Sequence, residues 1–279
     1  MNMHIDLLRS LPPIPAISQE ILSINLATDK GDELLLKLIG KDPAISARII
    51  GLANSPLFHT TRRILTVGDA AAVLGINRIK MISLSFSMIS SMARKLPGLL
   101  NVMNLWQHSM AVALAMDTLS RAMPKEIRPP DEEIYLAGLL HDIGFLVLDH
   151  IDPELSNRFH ARLATEVGRS TLELEAEMLE MNHCDLGALL TEHWNLPASI
   201  TAVLRHHHSY DATGLAAGQP LLVMANLAEK LLPTFGMQEP LVAEIGIEEW
   251  QALGIDVGQV DEIEMAMRKC GDEIAMAFA

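Results

Sequence analysis

The chain is poor in the residues that staple or stack a small fold. Its 279 residues include two cysteines, Cys184 and Cys270, far apart and in no C-x-x-C spacing. That excludes a disulfide framework or a zinc ribbon and suits a reducing compartment. Aromatics are only 4% of the chain. The apolar share of 49% comes instead from Leu, Ile, Ala, Val and 16 Met, a palette that suits helices better than sandwiches or barrels. Basic charge is scarce: 21 Lys and Arg stand against 35 Asp and Glu, a net charge of -14. Nucleic-acid binding driven by counterion release needs a basic face, so this balance argues against a nucleic-acid partner. No apolar run reaches the roughly 18 residues of a membrane span. The most apolar window, Tyr135 to Leu148, contains His141 and Asp142. The first residues, MNMHIDLLRSLPPIP, lack the basic-then-apolar order of a signal peptide, and Pro12, Pro13 and Pro15 interrupt them. These absences lead to the expectation of a soluble, cytoplasmic chain with no membrane partner.

Helical spacing dominates what is present. Pro15 suits the first turn of a helix running to about Thr28. Asp42-Pro43 is an N-cap followed by proline at the first helical position, and Ile45, Ile49 and Leu52 then repeat at helical intervals. Short segments near Val67 to Leu74 and Asn77 to Arg94 come next, broken by Pro97-Gly98. Further helices are expected from about Asn101 to Ala122, from Asp131 to His150, from Asp152-Pro153 onward, and over Thr171 to Leu179. Asn182 with Asp185 resembles a capping box. Helices from Pro197 to His208 and Leu221 to Leu232, then two or three weaker ones after Phe235, complete the pattern. No alternating strand, internal repeat or low-complexity tract stands out. The expected class is all-α: a multi-helical bundle over 99–234, an N-terminal helical subdomain over 6–98, and a helical extension over 235–279. A cleft is expected between the first two, with Pro97-Gly98 as their junction.

Eleven histidines are a high count. His108 shares an apolar stripe with Val112, Ala115 and Leu119, and His141 shares one with Ile134, Gly138, Phe145 and Leu148. An inward histidine must satisfy two ring nitrogens, by hydrogen bonds or a metal. Alone, each is more often a core residue or a helix end. Asp142 borders the same face, His183 opens a helix, and His206, His207 and His208 close another. Histidines and a carboxylate converging from several helices would suit one divalent transition metal: iron, manganese, nickel or zinc. His4, His59, His150, His160 and His193 are expected to serve surface or packing roles.

Several segments carry a family resemblance over roughly residues 10–234. WQHSMAVALA, AGLLHDIG, NHCDLGALLTEHWNLP and LRHHHSY are similar to the HD superfamily of metal-dependent phosphohydrolases. LPPIPAISQEIL, KDPAISARIIGLANSPLF and ILTVGDAAAVLGINRIKMISL resemble the N-terminal half of the HDOD family, the HD-related output domain of bacterial signalling proteins. The resemblance implies an HD-like helical bundle and a signalling or regulatory role exerted mainly through a protein partner. It implies metal ligands at His108, His141, Asp142, His183, His207 and His208. Glu229 in NLAEKLL stands by its place for the family's last ligand aspartate. Arg205 and His206 would meet a phosphate-containing small ligand. Apolar spacing puts the histidine pair at His207-His208, whereas alignment on Tyr210-Asp211 puts it at His206-His207.

Departures from the related HD-GYP phosphodiesterases set the expected activity. A ligand glutamate one turn before the first histidine is Asn104 here, a lysine after HDxG is Phe145, and the GYP segment reads Gly214-Leu215-Ala216. Two-metal hydrolysis needs bridging carboxylates and an open metal position for water. The expectation is therefore a degenerate site holding at most one metal and no cyclic-di-GMP phosphodiesterase activity. A metal-dependent phosphohydrolase acting on another nucleotide or phosphoester is the alternative. Other features have plainer readings. Arg62-Arg63 with Arg78 and Lys80 could form a basic patch but more readily a solvated surface, and the Met run from Met81 to Met116 reads as core. Gly138 and Gly144 would let a neighbouring helix approach, and Cys184 reads as a small buried residue beside His183.

Overall fold

The computed structural model describes residues 10–26, 28–92, 98–166, 168–208, 220–232 and 245–278. Among them are fifteen α-helices, two 3-10 turns and no strand, so the all-α expectation holds. Side chains that compete with the backbone for hydrogen bonds mark most helix starts. Helix α1 (Ala16–Ser23) stops short of the expected Thr28, because Thr28 caps the next helix, α2 (Asp29–Ile39), by accepting from the Gly31 amide. Asp42 caps α3 (Pro43–Ala53) through the amides of Ala44 and Ile45 at 2.9 and 3.1 Å, with Pro43 in its first turn. Thr66 caps α4 (Val67–Leu74), and Gly75, at φ +85°, turns the chain into α5 (Ile76–Met92). Only glycine reaches that φ at low cost.

Asn101 opens α6 (Val102–Ala122), whose side chains are buried almost all round from Leu105 to Met116. A helix apolar on every side belongs in the middle of a fold. Around it pack α7 (Asp131–Leu140), α13 (Leu221–Leu231) and α15 (Val260–Phe278). The last of these lies within the expected weak tail, yet Ile263, Met267 and Ile274 bury against the main core. Between α7 and α13 come α8 (Gly144–Ile151), α9 (Pro153–Thr165), α10 (Thr171–Met178), α11 (His183–His193) and α12 (Ala198–His206), with α14 (Ile247–Ala252) preceding α15. One hydrophobic core runs from Leu11 to Ile274 and includes both α5 and α6. The expected junction at Pro97 and the 211–219 loop lie outside the described residues, as do residues 235–244 of the acidic tail.

Three expectations need correction or refinement. The helix expected from Asp131 to His150 is two helices, α7 and α8, set 43° apart around a tight turn at residues 141–143. There Ile143 donates to the Leu140 carbonyl, Phe145 to Asp142 and Leu146 to Ile143. The Asn182 cap is one-sided: its side chain accepts from the Asp185 amide, with no reciprocal bond, whereas Ser170 and Glu173 form a full capping box at α10. Arg78 and Lys80 form neither a basic patch nor a solvated surface. Arg78 reaches Tyr135 of α7 and Asp117 of α6, and buried Lys80 donates to the Ile24 carbonyl at 2.9 Å. Met81, Met88, Met92, Met110 and Met116 are buried, as a core requires.

Two glycines set the helix spacing that matters for the site. A Cβ at Gly138 would lie 2.5 Å from the Ala113 Cα, so α7 meets α6 backbone to backbone. A Cβ at Gly144 would lie 1.8 Å from the His183 carbonyl oxygen, so the start of α8 meets the start of α11 equally closely. A side chain at either place would force the helices apart.

Candidate metal centre

Those two contacts draw residues from five segments to one buried point. His108 comes from the middle of α6, His141 and Asp142 from the turn between α7 and α8, and His183 from the first position of α11. His207 and His208 come directly after α12, and Glu229 lies near the end of α13. Asp142 is fully buried and stands at the centre. Its Oδ2 lies 3.3 Å from His141 Nε2 and 3.5 Å from His108 Nε2, and Glu229 Oε1 approaches those two nitrogens at 2.9 and 3.0 Å. Its Oδ1 lies 3.3 Å from His207 Nε2 and 3.5 Å from His183 Nε2. His208 Nε2 is 3.1 Å and His207 Nε2 3.4 Å from His183 Nε2. One carboxylate thus separates an inner donor set (His108, His141, Glu229) from an outer one (His183, His207, His208).

The far nitrogens fix the ring orientations. His141 Nδ1 donates to the Gly138 carbonyl at 2.8 Å and His207 Nδ1 to the Leu204 carbonyl at 2.9 Å. Carbonyl oxygens only accept, so these Nδ1 atoms carry a proton and it is each Nε2 that turns inward, where the neutral ring would offer a lone pair. His183 Nδ1 is held by both oxygens of buried Glu175 at 2.8 and 2.9 Å, and the His183 amide donates to the same carboxylate. Carboxylate and carbonyl partners of this kind fix a metal-ligating imidazole. Asn226 of α13 donates to the His207 carbonyl at 2.9 Å, which ties the histidine pair to the helix carrying Glu229.

The electrostatics require positive charge at this point. Burial opposes ionisation of Asp142, yet His141 and its neighbours hold the carboxyl well below the usual range. Glu229 is likewise held well below by His108 and His141 against its burial. Burial disfavours protonated His141, but Asp142 and Glu229 outweigh it and raise the imidazole well above its ordinary value. The same contest raises His108 beside Glu229, and against its burial His207 is raised to about 10 by Cys184 and Asp142. His208 goes the other way, held well below by burial and by His207 and His183. Cys184, pushed up by burial, is drawn down to about 6 by His207 and His183. No Lys or Arg pairs with either buried carboxylate among the described residues; their positive company is the raised imidazoles, whose inward protons a divalent ion would replace. Inward lone pairs and orphaned carboxylate oxygens fit a divalent metal ion.

The cluster gathers seven of the nine residues expected at a site: His108, His141, Asp142, His183, His207, His208 and Glu229. His207 and His208, rather than His206, are the pair that reaches it. Arg205 and His206 lie outside. Arg205 pairs with Glu192 at 2.7 Å and Asp185 at 3.5 Å, and half-buried His206 is held below its ordinary value by burial and Arg205. Two donor sets meet at Asp142, not the one set expected. Asn104 is half-buried one turn before His108, and Phe145 stacks on the His183 ring at 4.3 Å. Glu175 escaped sequence reasoning, since one acid in an acidic helix carries no local sign of facing a histidine. His160, expected at the surface or in packing, is buried and bonded through Nδ1 to the Ser156 carbonyl.

The HDOD domain family matches residues 11–210. The chain belongs to the HDOD family. The HDOD match ends before α13, so Glu229 lies beyond it. A protein from Marinobacter aquaeolei VT8, provisionally described as a signal transduction protein, has the same fold with a TM-score of 0.76 and 25% identity. It is covered over 98% of this chain and 60% of its own length. An HDOD domain protein of unknown function from Geobacter sulfurreducens aligns over 98% of both chains, with a TM-score of 0.73 and 23% identity. A protein from Shewanella amazonensis SB2B, provisionally described as a phosphohydrolase, aligns with a TM-score of 0.71 and 21% identity over 100% of this chain and 98% of its own. An uncharacterized protein of Treponema pallidum (strain Nichols) is 25% identical over 204 residues, and this chain spans only 38% of its length. Among the described HDOD residues no single helix is long and apolar enough to cross a membrane.

Proposed function

We propose that this HDOD protein is a cytoplasmic regulatory protein whose HD-like bundle holds a divalent transition metal and passes a signal through a protein partner. The observation that carries the metal is Asp142, buried and without a hydrogen-bond donor, with inward imidazole nitrogens beside both of its oxygens. All-nitrogen-and-oxygen donors on the inner side suit iron, manganese, nickel or zinc. When bound, the ion supplies positive charge for a phosphate-containing ligand and Lewis acidity at its oxygens. His108, His141 and Glu229 hold it from the inner side, and Glu175 keeps His183 aimed from the outer side. The regulatory emphasis rests on what surrounds the donors. Phe145 covers His183 where a cation would neutralise phosphate, and among the described residues no Lys or Arg pairs with the cluster. Arg205 and His206, near the outer histidines in sequence, are the basic groups that would meet a ligand phosphate.

A second reading, a metal-dependent phosphohydrolase, is favoured by one observation: Asp142 bridges two donor sets, as a dinuclear centre requires. Metal analysis of protein purified without chelator, followed by a phosphoester and nucleotide screen, separates the two. Stoichiometric metal without turnover supports the regulatory reading. Turnover lost in both His141→Ala and Asp142→Ala overturns it in favour of the hydrolase, and protein that takes up no metal refutes both.

A further inference from the structure

Cys184 is the donor in this cluster that the proposed function leaves unused. We propose that Cys184 is a sulfur ligand of the outer donor set, making the two halves of the centre unlike: an oxygen-rich inner half and a sulfur-bearing outer half that selects a softer ion such as zinc. The inference rests on the metal-centre reading above.

Cys184 is the second residue of α11, so the same helix start places its sulfur and the His183 ring. The thiol is 4% exposed, and its Sγ lies 3.4 Å from His183 Nε2. Donor atoms of His183, Cys184, His207 and His208 all lie within 4.8 Å of one another. Ligands about 2.0–2.3 Å from a tetrahedral zinc stand about 3.3–3.6 Å apart. The separations of His183 Nε2 from Cys184 Sγ, His207 Nε2 and His208 Nε2, at 3.4, 3.4 and 3.1 Å, are of that size. A small packing residue would need no such polar company. Cys270 shows the contrast: among the described residues its sulfur is met by the Thr118 hydroxyl alone, at 3.9 Å. Asp142 points to the same place independently, because its buried Oδ1 faces these histidines with no hydrogen bond.

On the inner side the donors are His108, His141, Glu229 and Asp142 Oδ2, a set that accepts manganese or iron. On the outer side a thiolate favours zinc over manganese. Sulfur binds as the thiolate: any proton still on the Cys184 sulfur or on the inward nitrogen of an outer imidazole leaves to solvent as the divalent ion takes its place.

The test uses the full chain, stripped with chelator and titrated with cobalt(II). Wild type is expected to develop a near-ultraviolet sulfur-to-cobalt charge-transfer band together with visible ligand-field bands. Cys184→Ser and Cys184→Ala should lose the charge-transfer band and keep cobalt binding through the histidines. Cys270→Ser and His108→Ala should retain it. Zinc affinity should fall at least about tenfold in Cys184→Ala, with manganese affinity little changed. Cobalt bound by wild type without that band, or a band that survives Cys184→Ala, overturns the sulfur ligand while leaving the metal centre standing. Wild type that binds no cobalt overturns both. Circular dichroism identifies a misfolded Ala variant, in which case the Ser variant decides.

Discussion

Replacing Gly144 by alanine tests a helix contact that leaves no room for a Cβ, and the site it supports. Inside a helix this change ordinarily stabilises by about 1 kcal/mol, because alanine loses less backbone entropy. Here the added Cβ would stand 1.8 Å from the His183 carbonyl oxygen, 2.6 Å from its carbon and 2.9 Å from its Cα. The atoms met are backbone, not the end of a flexible side chain. They cannot rotate away, and α8 and α11 must separate by roughly 1 Å or more before the contact becomes ordinary. Overpacking of this kind costs about 1–3 kcal/mol, which outweighs the helix propensity. The midpoint of thermal unfolding should drop by a few degrees, at about 2–4 °C per kcal/mol. The same displacement carries His183 away from Asp142, now 3.5 Å apart, so zinc affinity should fall alongside stability. Gly51→Ala is the control: on α3 nothing lies within 4 Å of its added Cβ, and it should stabilise by about 0.5–1 kcal/mol. Urea unfolding and a competitive zinc titration read both variants. A Gly144→Ala protein as stable as wild type, with unchanged zinc affinity, would refute the claim that glycine there sets the site.

Other outcomes can be checked with the same protein. Glu175→Gln should lower metal affinity about 10–100-fold without unfolding the chain, because His183 loses its charged anchor; an unchanged titration would deny Glu175 that role. Asp142→Asn should abolish binding at both donor sets together, and plasma emission analysis finding full metal in it would contradict a shared carboxylate. Burial holds His160 below its ordinary value of 6.5, so the folded ring stays neutral while the unfolded one takes a proton. The unfolded state then binds more protons below about pH 6.5, and stability falls on acidification through that window, by at most about 1.4 kcal/mol per pH unit from this group. His160→Gln should flatten that part of the stability–pH curve, and identical slopes would reject the assignment.

Residue spacing and local side-chain chemistry were enough to place many of the helix starts. Asp42-Pro43, Asn101 and Asp152-Pro153 open helices because side-chain oxygens and a missing amide act within a turn, and the structure keeps all three starts. The all-α class and the HDOD family are legible in the same local patterns. The chain order of His108, His141-Asp142, His183 and the triple histidine could be read as potential donors. Their arrangement could not, because it depends on distances between helices. The break between α7 and α8 leaves no glycine or proline at residues 141–143, and it comes from tertiary packing that presents Asp142 to both donor sets. Glu175 was settled the same way, by the face α10 turns inward; Glu229 and the pair His207-His208 were expected from the resemblance and the apolar spacing, and α12 and α13 turn them into the cluster. The close passes at Gly138 and Gly144 explain why: helices in backbone contact bring far-separated side chains within 3.5 Å, and no local propensity encodes that separation.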